Sequence, residues 1–253
     1  RDEVGHESTQ FIEVQVPERE PMLSAATLAP ELISPNADGV VDRTRVHLEF
    51  QRAGSTTMTV LDSSDSVLRT LLNDALLTSS VEQYWDGLDS AASPVVDGDY
   101  RVRVRVVDPA QPLNVEQLDL PVVIDTLAPE VSFVAPAAEY SNGRGPLAID
   151  LVEQHLLLLT ANSTPPMPGF QRQVDQPGII SLTELDAVSE GEYRIDLTAD
   201  DRAGNRGTFT HRFFVDRTPP VVSITSPAAG SVVSRLIGPI GITGAATDAN
   251  LAS

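Results

Sequence analysis

The chain has 253 residues, is 41% hydrophobic, and carries 36 acidic against 17 basic residues, for a net charge of -19. This length is more typical of two or three domains than of one, and the acidic excess repels nucleic acid phosphates and anionic lipid. Lys and Cys are absent. Schiff-base and P-loop lysine chemistry, disulfides, zinc-thiolate sites and cysteine nucleophiles are therefore excluded.

Membrane insertion is not expected either. The longest apolar candidate, His155–Leu159, is the size of a strand and far short of the roughly 20 residues that cross a bilayer. The chain begins at Arg1, without an initiator methionine or an apolar signal region, and we expect it to be a fragment of a longer protein.

The first 24 residues are predicted to be a tail. Within it, Gln10–Pro17 resembles the closing strand that precedes each later junction, so this tail is interpreted as the last strand of an upstream module.

Two segments further along the chain repeat each other in residues and order. Gly98 and Gly191, each before an acidic residue and a tyrosine, lie 93 positions apart, and the junction residues Asp125 and Asp216 lie 91 positions apart. This spacing is close to the roughly 100 residues of one β-sandwich. We predict one module over residues 25–124 and another over 125–215.

The periodicity within these modules is that of β-strands. Tyr100, Val102, Val104 and Val106 alternate with arginines, which predicts a buried apolar face and a hydrated guanidinium face. Turn-forming Gly, Pro, Asn and Asp lie between such runs, and no long helical periodicity is found. The predicted fold class is therefore all-β: immunoglobulin-like or fibronectin III-like sandwiches arranged end to end, with proline-containing junctions as short, stiff connectors.

Residues 216–253 are predicted to be the incomplete start of a third immunoglobulin-like module. This stretch has 38 residues, too few to close a sandwich alone. If it is ordered, its unpaired strands must be covered by a neighbouring module, by another copy or by a separate protein chain.

Three segments of the first module carry a family resemblance. They are Ser34–Asp42, which reads Ser-Pro-Asn-Ala-Asp-Gly-Val-Val-Asp; Tyr84–Asp89, which contains Trp-Asp-Gly; and Val96–Tyr100, which contains Asp-Gly-Asp-Tyr. Residues 30–108 thereby resemble the immunoglobulin-like domain of flagellar hook-capping proteins, with Ala37 in place of the family's common glycine. The resemblance implies an immunoglobulin-like fold and relatives at the ends of secreted bacterial proteins.

The rest of the chain resembles more general families. Residues 125–215, with the turn Ala199–Asn205, are similar to generic bacterial immunoglobulin-like repeats. The stretch Ile242–Leu251 resembles the opening of modules in large surface proteins, some of which carry YD-repeat (Rhs-type) toxin shells. This resemblance implies a parent protein that is secreted or exposed on a bacterial cell surface.

The first candidate metal site consists of Asn36, Asp38 and Asp42. Oxygen side chains that alternate around a glycine turn can converge on a hard cation such as Ca²⁺, although no bidentate Glu follows at the expected distance. The alternative is an Asx-type turn in which Asn36 and Asp38 cap backbone amides and Gly39 adopts a positive φ.

A second candidate groups Asp200, Asp201 and Asn205 with a junction aspartate, either Asp125 or Asp216, where calcium would stiffen the linker. Capping of the turn by these side chains is the competing interpretation. No other cofactor is expected.

The aromatic residues offer one further candidate. Trp85, the only tryptophan, is either a stacking platform for sugars or a plug in the sandwich core. Tyr100 and Tyr193 occupy matching repeat positions and are interpreted as core residues whose hydroxyls bond to backbone.

A catalytic function is not predicted, because the sequence lacks a Gly-x-Ser-x-Gly elbow, a phosphate-binding glycine loop and a His-Glu-x-x-His helix. Three hypotheses stay open. The first is a structural spacer that joins other domains of a large bacterial extracellular or cell-surface protein. The second is an adhesin-like module that binds a carbohydrate, a protein or a partner strand through residues 216–253. The third is an accessory segment of a secreted enzyme or of a YD-repeat toxin.

Overall fold

The computed structural model describes residues 20–232 and 238–250, and the chain divides into two compact units after Asp125. The regular secondary structure of the described residues consists of β-strands, apart from one 3-10 turn at Leu185–Ala187. The all-β prediction is therefore confirmed. Within the described residues, no helix is long and apolar enough to span a membrane.

The first unit contains eight strands among its described residues. They are β1 (Leu23–Ala29), β2 (Leu32–Ile33), β3 (Thr44–Phe50), β4 (Gly54–Leu61), β5 (Val67–Leu77), β6 (Val81–Trp85), β7 (Gly98–Asp108) and β8 (Gln111–Ile124). One sheet has the order β1-β3-β6 and the other β2-β8-β7-β4-β5. Residues of both sheets form one buried core, so the two sheets are the layers of a β-sandwich.

The second unit repeats the same topology. Its strands are β9 (Glu130–Ala135), β10 (Tyr140–Ser141), β11 (Pro146–Val152), β12 (Leu156–Thr164), β13 (Gln173–Val174), β14 (Gly178–Glu184), β15 (Gly191–Asp201) and β16 (Arg206–Val215). The sheets β14-β11-β9 and β10-β16-β15-β12-β13 correspond strand for strand to those of the first sandwich.

A separate two-stranded sheet follows the second sandwich. It pairs β17 (Val221–Ser226) with β18 (Thr243–Thr247) in antiparallel orientation, and every residue of both strands is exposed.

Alternate burial along the central strands builds each core. Along β7, Val102, Val104 and Val106 are all 0% exposed, and in the second sandwich Ile195 and Leu197 take the same role on β15. The predicted inward faces are therefore confirmed. Each such side chain contributes about 1.5–3 kcal/mol to stability when it leaves water.

The first sandwich begins slightly earlier than predicted. β1 starts at Leu23, within the stretch assigned to the tail, because Met22 and Leu23 are already buried in the core. Their backbone N–H groups both donate to Glu116 Oε2, at 2.8 and 3.3 Å. The proposed upstream strand at Gln10–Pro17 lies outside the described residues.

Trp85 belongs to this first core. Its side chain is 0% exposed, its ring packs edge-on against Tyr100 with centroids 5.4 Å apart, and its Nε1–H donates to Leu88 O at 2.9 Å. A buried indole has no face to offer a sugar. The core interpretation is confirmed and the stacking-platform interpretation is wrong.

The two matching tyrosines fasten equivalent corners of the sandwiches. Tyr100 Oη donates to Val96 O at 2.7 Å, and Tyr193 Oη donates to Ser189 O at 3.1 Å. In each case the acceptor lies four residues upstream, so the hydroxyl fixes the turn that leads into the central strand. The predicted role of both residues is confirmed.

Replacing either tyrosine by phenylalanine keeps the ring in the core but leaves a backbone carbonyl without its donor. We expect Tyr100→Phe and Tyr193→Phe each to lower the free energy of unfolding of their own sandwich by about 1 kcal/mol. Chemical denaturation of the chain measures this. Tyr140→Phe is the control, since Tyr140 is 51% exposed; an equal loss in the control would contradict the assignment.

Candidate metal turns and anchoring contacts

The segment from Ser34 to Asp42 forms a tight turn between β2 and β3, closed by the Ser34 N–H that donates to Val41 O at 3.0 Å. The chain reverses through residues with positive φ, among them Ala37 (65°) and Gly39 (89°). The structure therefore confirms the positive φ predicted at Gly39. It also shows that Ala37 adopts a left-handed conformation that favours glycine.

The three predicted ligands converge around this turn. Asp42 accepts the N–H groups of Ala37 and Gly39, both at 2.8 Å, with one carboxylate oxygen each. Asp38 Oδ1 accepts the Val40 N–H at 2.7 Å, and Asn36 Oδ1 accepts the Asp38 N–H at 2.9 Å. These bonds are those of Asx-type capping. Calcium at Asn36, Asp38 and Asp42 stays a prediction.

A calcium titration tests that prediction directly. Extracellular modules bind Ca²⁺ with dissociation constants of about 0.1–1 mM, so 1 mM Ca²⁺ is expected to stabilise the first sandwich by only about 0.4–1.4 kcal/mol. Thermal unfolding in excess calcium and in excess chelator measures the difference. Equal melting temperatures, or an unchanged difference in Asp42→Asn, would remove the metal interpretation.

Ala37 offers a second test of the same turn. At a φ of 65°, glycine avoids the steric cost of the alanine Cβ, while it loses more backbone entropy on folding. We expect Ala37→Gly to raise the stability of the first sandwich by up to about 1 kcal/mol, seen as a higher melting temperature. The control is Ala91→Gly; Ala91 is an exposed turn residue outside the positive-φ positions. A drop in stability in Ala37→Gly would contradict the proposed strain.

The second candidate site resolves into two separate groups of contacts. Asp201 and Asn205 are 2% and 5% exposed, and Asp201 accepts both the N–H and the Nδ2–H of Asn205 at 2.8 Å. Asp200 instead points at Arg206, whose Nε donates to it at 2.5 Å. Asp201 and Asn205 thus cap the β15–β16 turn, while Asp200 forms an ion pair across the two strands. Calcium at this second site stays a prediction.

The same turn anchors the chain where it enters the second sandwich. Asn205 Nδ2 also donates to Leu127 O at 3.2 Å, across 78 positions of sequence. The first sandwich has an equivalent device at the end of β7. Asp108 pairs with Arg52 at 3.3 Å, and Arg52 donates to Glu20 O at 2.5 Å. The pKa of Asp108 is lowered, mainly because its carboxylate accepts a hydrogen bond from the Ala110 N–H.

Asp216 is anchored elsewhere, at the exit of the second sandwich. Its carboxylate accepts the Asn250 Nδ2–H at 2.7 Å and the Thr218 N–H at 2.9 Å, and these bonds, the first foremost, lower its pKa. The stability that they contribute is present at neutral pH and is lost as Asp216 is protonated in acid. A cleft of about 600 Å³ opens beside this junction, lined by Glu190, Pro219 and Asp248 among others.

Arg217 fixes the exit segment, a role that sequence reasoning missed. Its guanidinium donates to three backbone carbonyls of the second sandwich, Val188 O and Leu185 O at 2.6 Å and Gly143 O at 3.0 Å. Glycine is favoured at position 143, because its φ is 68° and a Cβ there would lie 2.7 Å from Val215 Cγ1 and 2.5 Å from Arg217 Nη2. The junction repeat gave no signal, since the equivalent position in the first junction is Thr126.

The arginine face of β7 is more than a hydrated surface, which corrects the prediction from the sequence. Arg103 forms a bidentate pair with Asp119 on β8, with both N–O distances 2.7 Å. Arg101 donates to Asp65. These bonds lower the pKa values of Asp119 and Asp65, with the arginine hydrogen bond as the main cause in each. Cross-strand pairs of this kind select the register of β7 against β8.

No family model and no curated protein matches this chain. Three solved structures are similar in part. The first is a tetra-tandem repeat from the extending region of a large adhesion protein, at 14% identity and a TM-score of 0.35, with 88% of this chain and 63% of that one covered. The second is the BSP domain of a biofilm-associated protein, at 12% identity and a TM-score of 0.25, with coverages of 77% and 29%.

The third is a Ca²⁺-stabilised adhesin that helps an Antarctic bacterium to reach out and bind ice. It has 16% identity and a TM-score of 0.27, with 89% of this chain and 58% of that one covered. The chain thus spans less than two thirds of each of these structures. At such identities and scores, the similarities do not bear on what this chain does.

Proposed function

We propose that this chain is a non-catalytic, load-bearing spacer segment of a large bacterial protein that is secreted or exposed at the cell surface. The observation that carries the proposal is the way in which each sandwich pairs the strand near its entrance with the strand at its exit. The resemblance of residues 30–108 and 125–215 to modules of secreted bacterial proteins supports the location.

In the first sandwich, β2 runs parallel to β8. The Val123 N–H donates to Glu31 O at 2.7 Å and the Asp125 N–H donates to Ile33 O at 3.0 Å. When the two ends of the module are pulled apart, parallel strands at the entrance and the exit slide in opposite directions along their common axis. These hydrogen bonds are then loaded together, in shear, instead of opening one after another.

The second sandwich has the same arrangement at the same place. β10 runs parallel to β16, the Phe214 N–H donates to Glu139 O at 2.7 Å, and the Asp216 N–H donates to Ser141 O at 2.8 Å. The two modules have few identical residues in these strands, yet each module forms equivalent hydrogen bonds between its entrance and exit strands. This supports a mechanical role for the parallel pair, which we call the terminal clamp.

The anchoring contacts of the second sandwich support the same function. Asn205 holds the chain at Leu127 where it enters, and Arg217 holds it at Val188, Leu185 and Gly143 where it leaves. Force that arrives at either end is thus transmitted to the folded body close to the terminal clamp. Pro129 follows the anchored Leu127 by two residues and Pro220 follows Arg217 by three, and each proline restricts the backbone there.

A proline substitution in the first clamp tests the proposal. Val123→Pro removes the N–H that bonds Glu31 O, and β8 already accepts Pro121 two residues earlier, on the same edge. We expect the equilibrium free energy of unfolding to fall by about 1 kcal/mol, the contribution of one hydrogen bond. In single-molecule pulling from the two ends of the chain, we expect the first sandwich to unfold at a clearly lower force.

The control is Gln117→Pro on the same strand. Gln117 lies six residues before Val123, and the register of β8 with β7 is unbroken between them, so both N–H groups face the same edge of β8. Gln117 is not part of the pairing with β2. We expect this variant to leave the unfolding force unchanged. Equal unfolding forces in wild type and Val123→Pro would refute a load-bearing clamp.

A further inference from the structure

The hairpin of β17 and β18 corresponds to the first two long strands of the second sandwich. From Asp125 and Asp216 onward, the prolines at 129 and 136 recur 91 positions later at 220 and 227. In the structure, β17 pairs with β18 as β9 pairs with β11. The pairing register also shifts at the same place in both sheets, because Val134 and the equivalent Thr225 are each the extra residue at the irregularity.

This correspondence identifies which face of the hairpin is the inner one. Val222 and Ile224 take the positions of Val131 and Phe133, which pack against the core of the second sandwich. On the second strand, Ile242 takes the position of Leu147 and Ala246 that of Leu151. The opposite face of the hairpin carries hydroxyls, among them Ser223, Thr225 and Thr247.

Equivalent residues are less buried in the hairpin than in the second sandwich. Leu147 is 0% exposed where Ile242 is 70% exposed, and Leu151 is 1% exposed where Ala246 is exposed. Val131 and Phe133 are half-buried, whereas Val222 and Ile224 are 71% and 66% exposed. We call the surface formed by Val222, Ile224, Ile242 and Ala246 the inner face. Apolar side chains that alternate in this way along a strand are removed from water only when a second layer of secondary structure packs on them.

We propose that the inner face is the docking surface for the remaining strands of a third sandwich, supplied by the same polypeptide after the hairpin in the full-length protein. The second sandwich defines what those strands look like. There, β14 pairs with the edge of β11, and the sheet β10-β16-β15-β12-β13 covers the face with apolar residues such as Leu159, Ile195 and Phe213.

The small residues of β18 specify the covering sheet further. Gly244 and Ala246 stand where β11 has Ile149 and Leu151. A Cβ on Gly244 would lie 2.4 Å from Ser223 O, so this position stays without a side chain. The covering strands therefore carry bulkier apolar side chains opposite β18 than β12 and β15 carry opposite β11, because a core packs to uniform density.

The order of strands argues for cover by the same polypeptide. Both sandwiches are built from one contiguous stretch of chain, and the hairpin opens a third stretch in the same order after the same junction. A second copy of this chain is disfavoured, since each copy carries a net charge of -19. The inference goes beyond the spacer function and does not depend on it, because a third sandwich can close whether or not the terminal clamps bear load.

Hydrogen exchange tests the inference. The 253-residue chain is compared with the natural full-length protein, and exchange is measured at the amides of Val221–Ser226 and Thr243–Thr247. We expect protection in the full-length protein to be at least about 100-fold higher. Ile224→Asp is expected to abolish this gain, because it places a charge on the inner face, while Ser223→Asp on the opposite face preserves it.

Three outcomes would overturn the inference. They are equal protection in the two chains, an equal effect of Ile224→Asp and Ser223→Asp in the full-length protein, and concentration-dependent protection of the 253-residue chain that Ile224→Asp removes. The last outcome would assign the inner face to a second copy. Pulling measurements on the first sandwich are unaffected by these variants, so failure here is distinguishable from failure of the terminal clamp.

Discussion

Alternate burial along paired strands is the constraint on which the rest of this structure depends. Because successive side chains of a strand point to opposite faces, a run such as Tyr100 to Val106 places its apolar residues in a core and its arginines outside. The chain has no cysteine and so no disulfide to hold a small sandwich together. Closed packing of two sheets, with Trp85 and the valines of β7 at the centre of the first, therefore bears the stability of each module.

The contacts outside the core contribute less to stability than this packing, but they favour one strand register and one corner geometry over the alternatives. Pairing of Arg103 with Asp119 is favoured only in the observed register of β7 against β8, since a shift of one strand by one residue would place the two side chains on opposite faces of the sheet. The two tyrosine hydroxyls fix the corners in a similar way. Exposed pairs of this kind contribute little free energy each, so their main effect is on the choice of register.

The contacts at the ends of the modules fix where the chain enters and leaves each sandwich. Both sandwiches pair their entering and leaving strands in parallel, and the second one also holds the chain through Asn205 and Arg217. Such contacts restrict where the chain emerges. They are what a protein needs if force or orientation is transmitted along it.

The sequence by itself determined the elements that follow from local periodicity and repetition. Period-two burial predicted the central strands, the matching Tyr100 and Tyr193 predicted the corner bonds, and the Asn-Ala-Asp-Gly segment predicted a turn with a positive φ at Gly39. These features depend on neighbours a few residues away, which a single sequence displays. The length of residues 216–253 likewise predicted a module that is incomplete.

Only the tertiary structure decided what depends on contacts between distant positions. The carbonyls that Arg217 reaches lie 29, 32 and 74 positions away, and Asn205 reaches Leu127 across 78. The parallel pairing of β2 with β8 joins the two ends of a module, and the burial of Trp85 depends on both sheets. No local pattern encodes such proximity, because it arises when a whole sandwich closes and brings the edges of its sheets together.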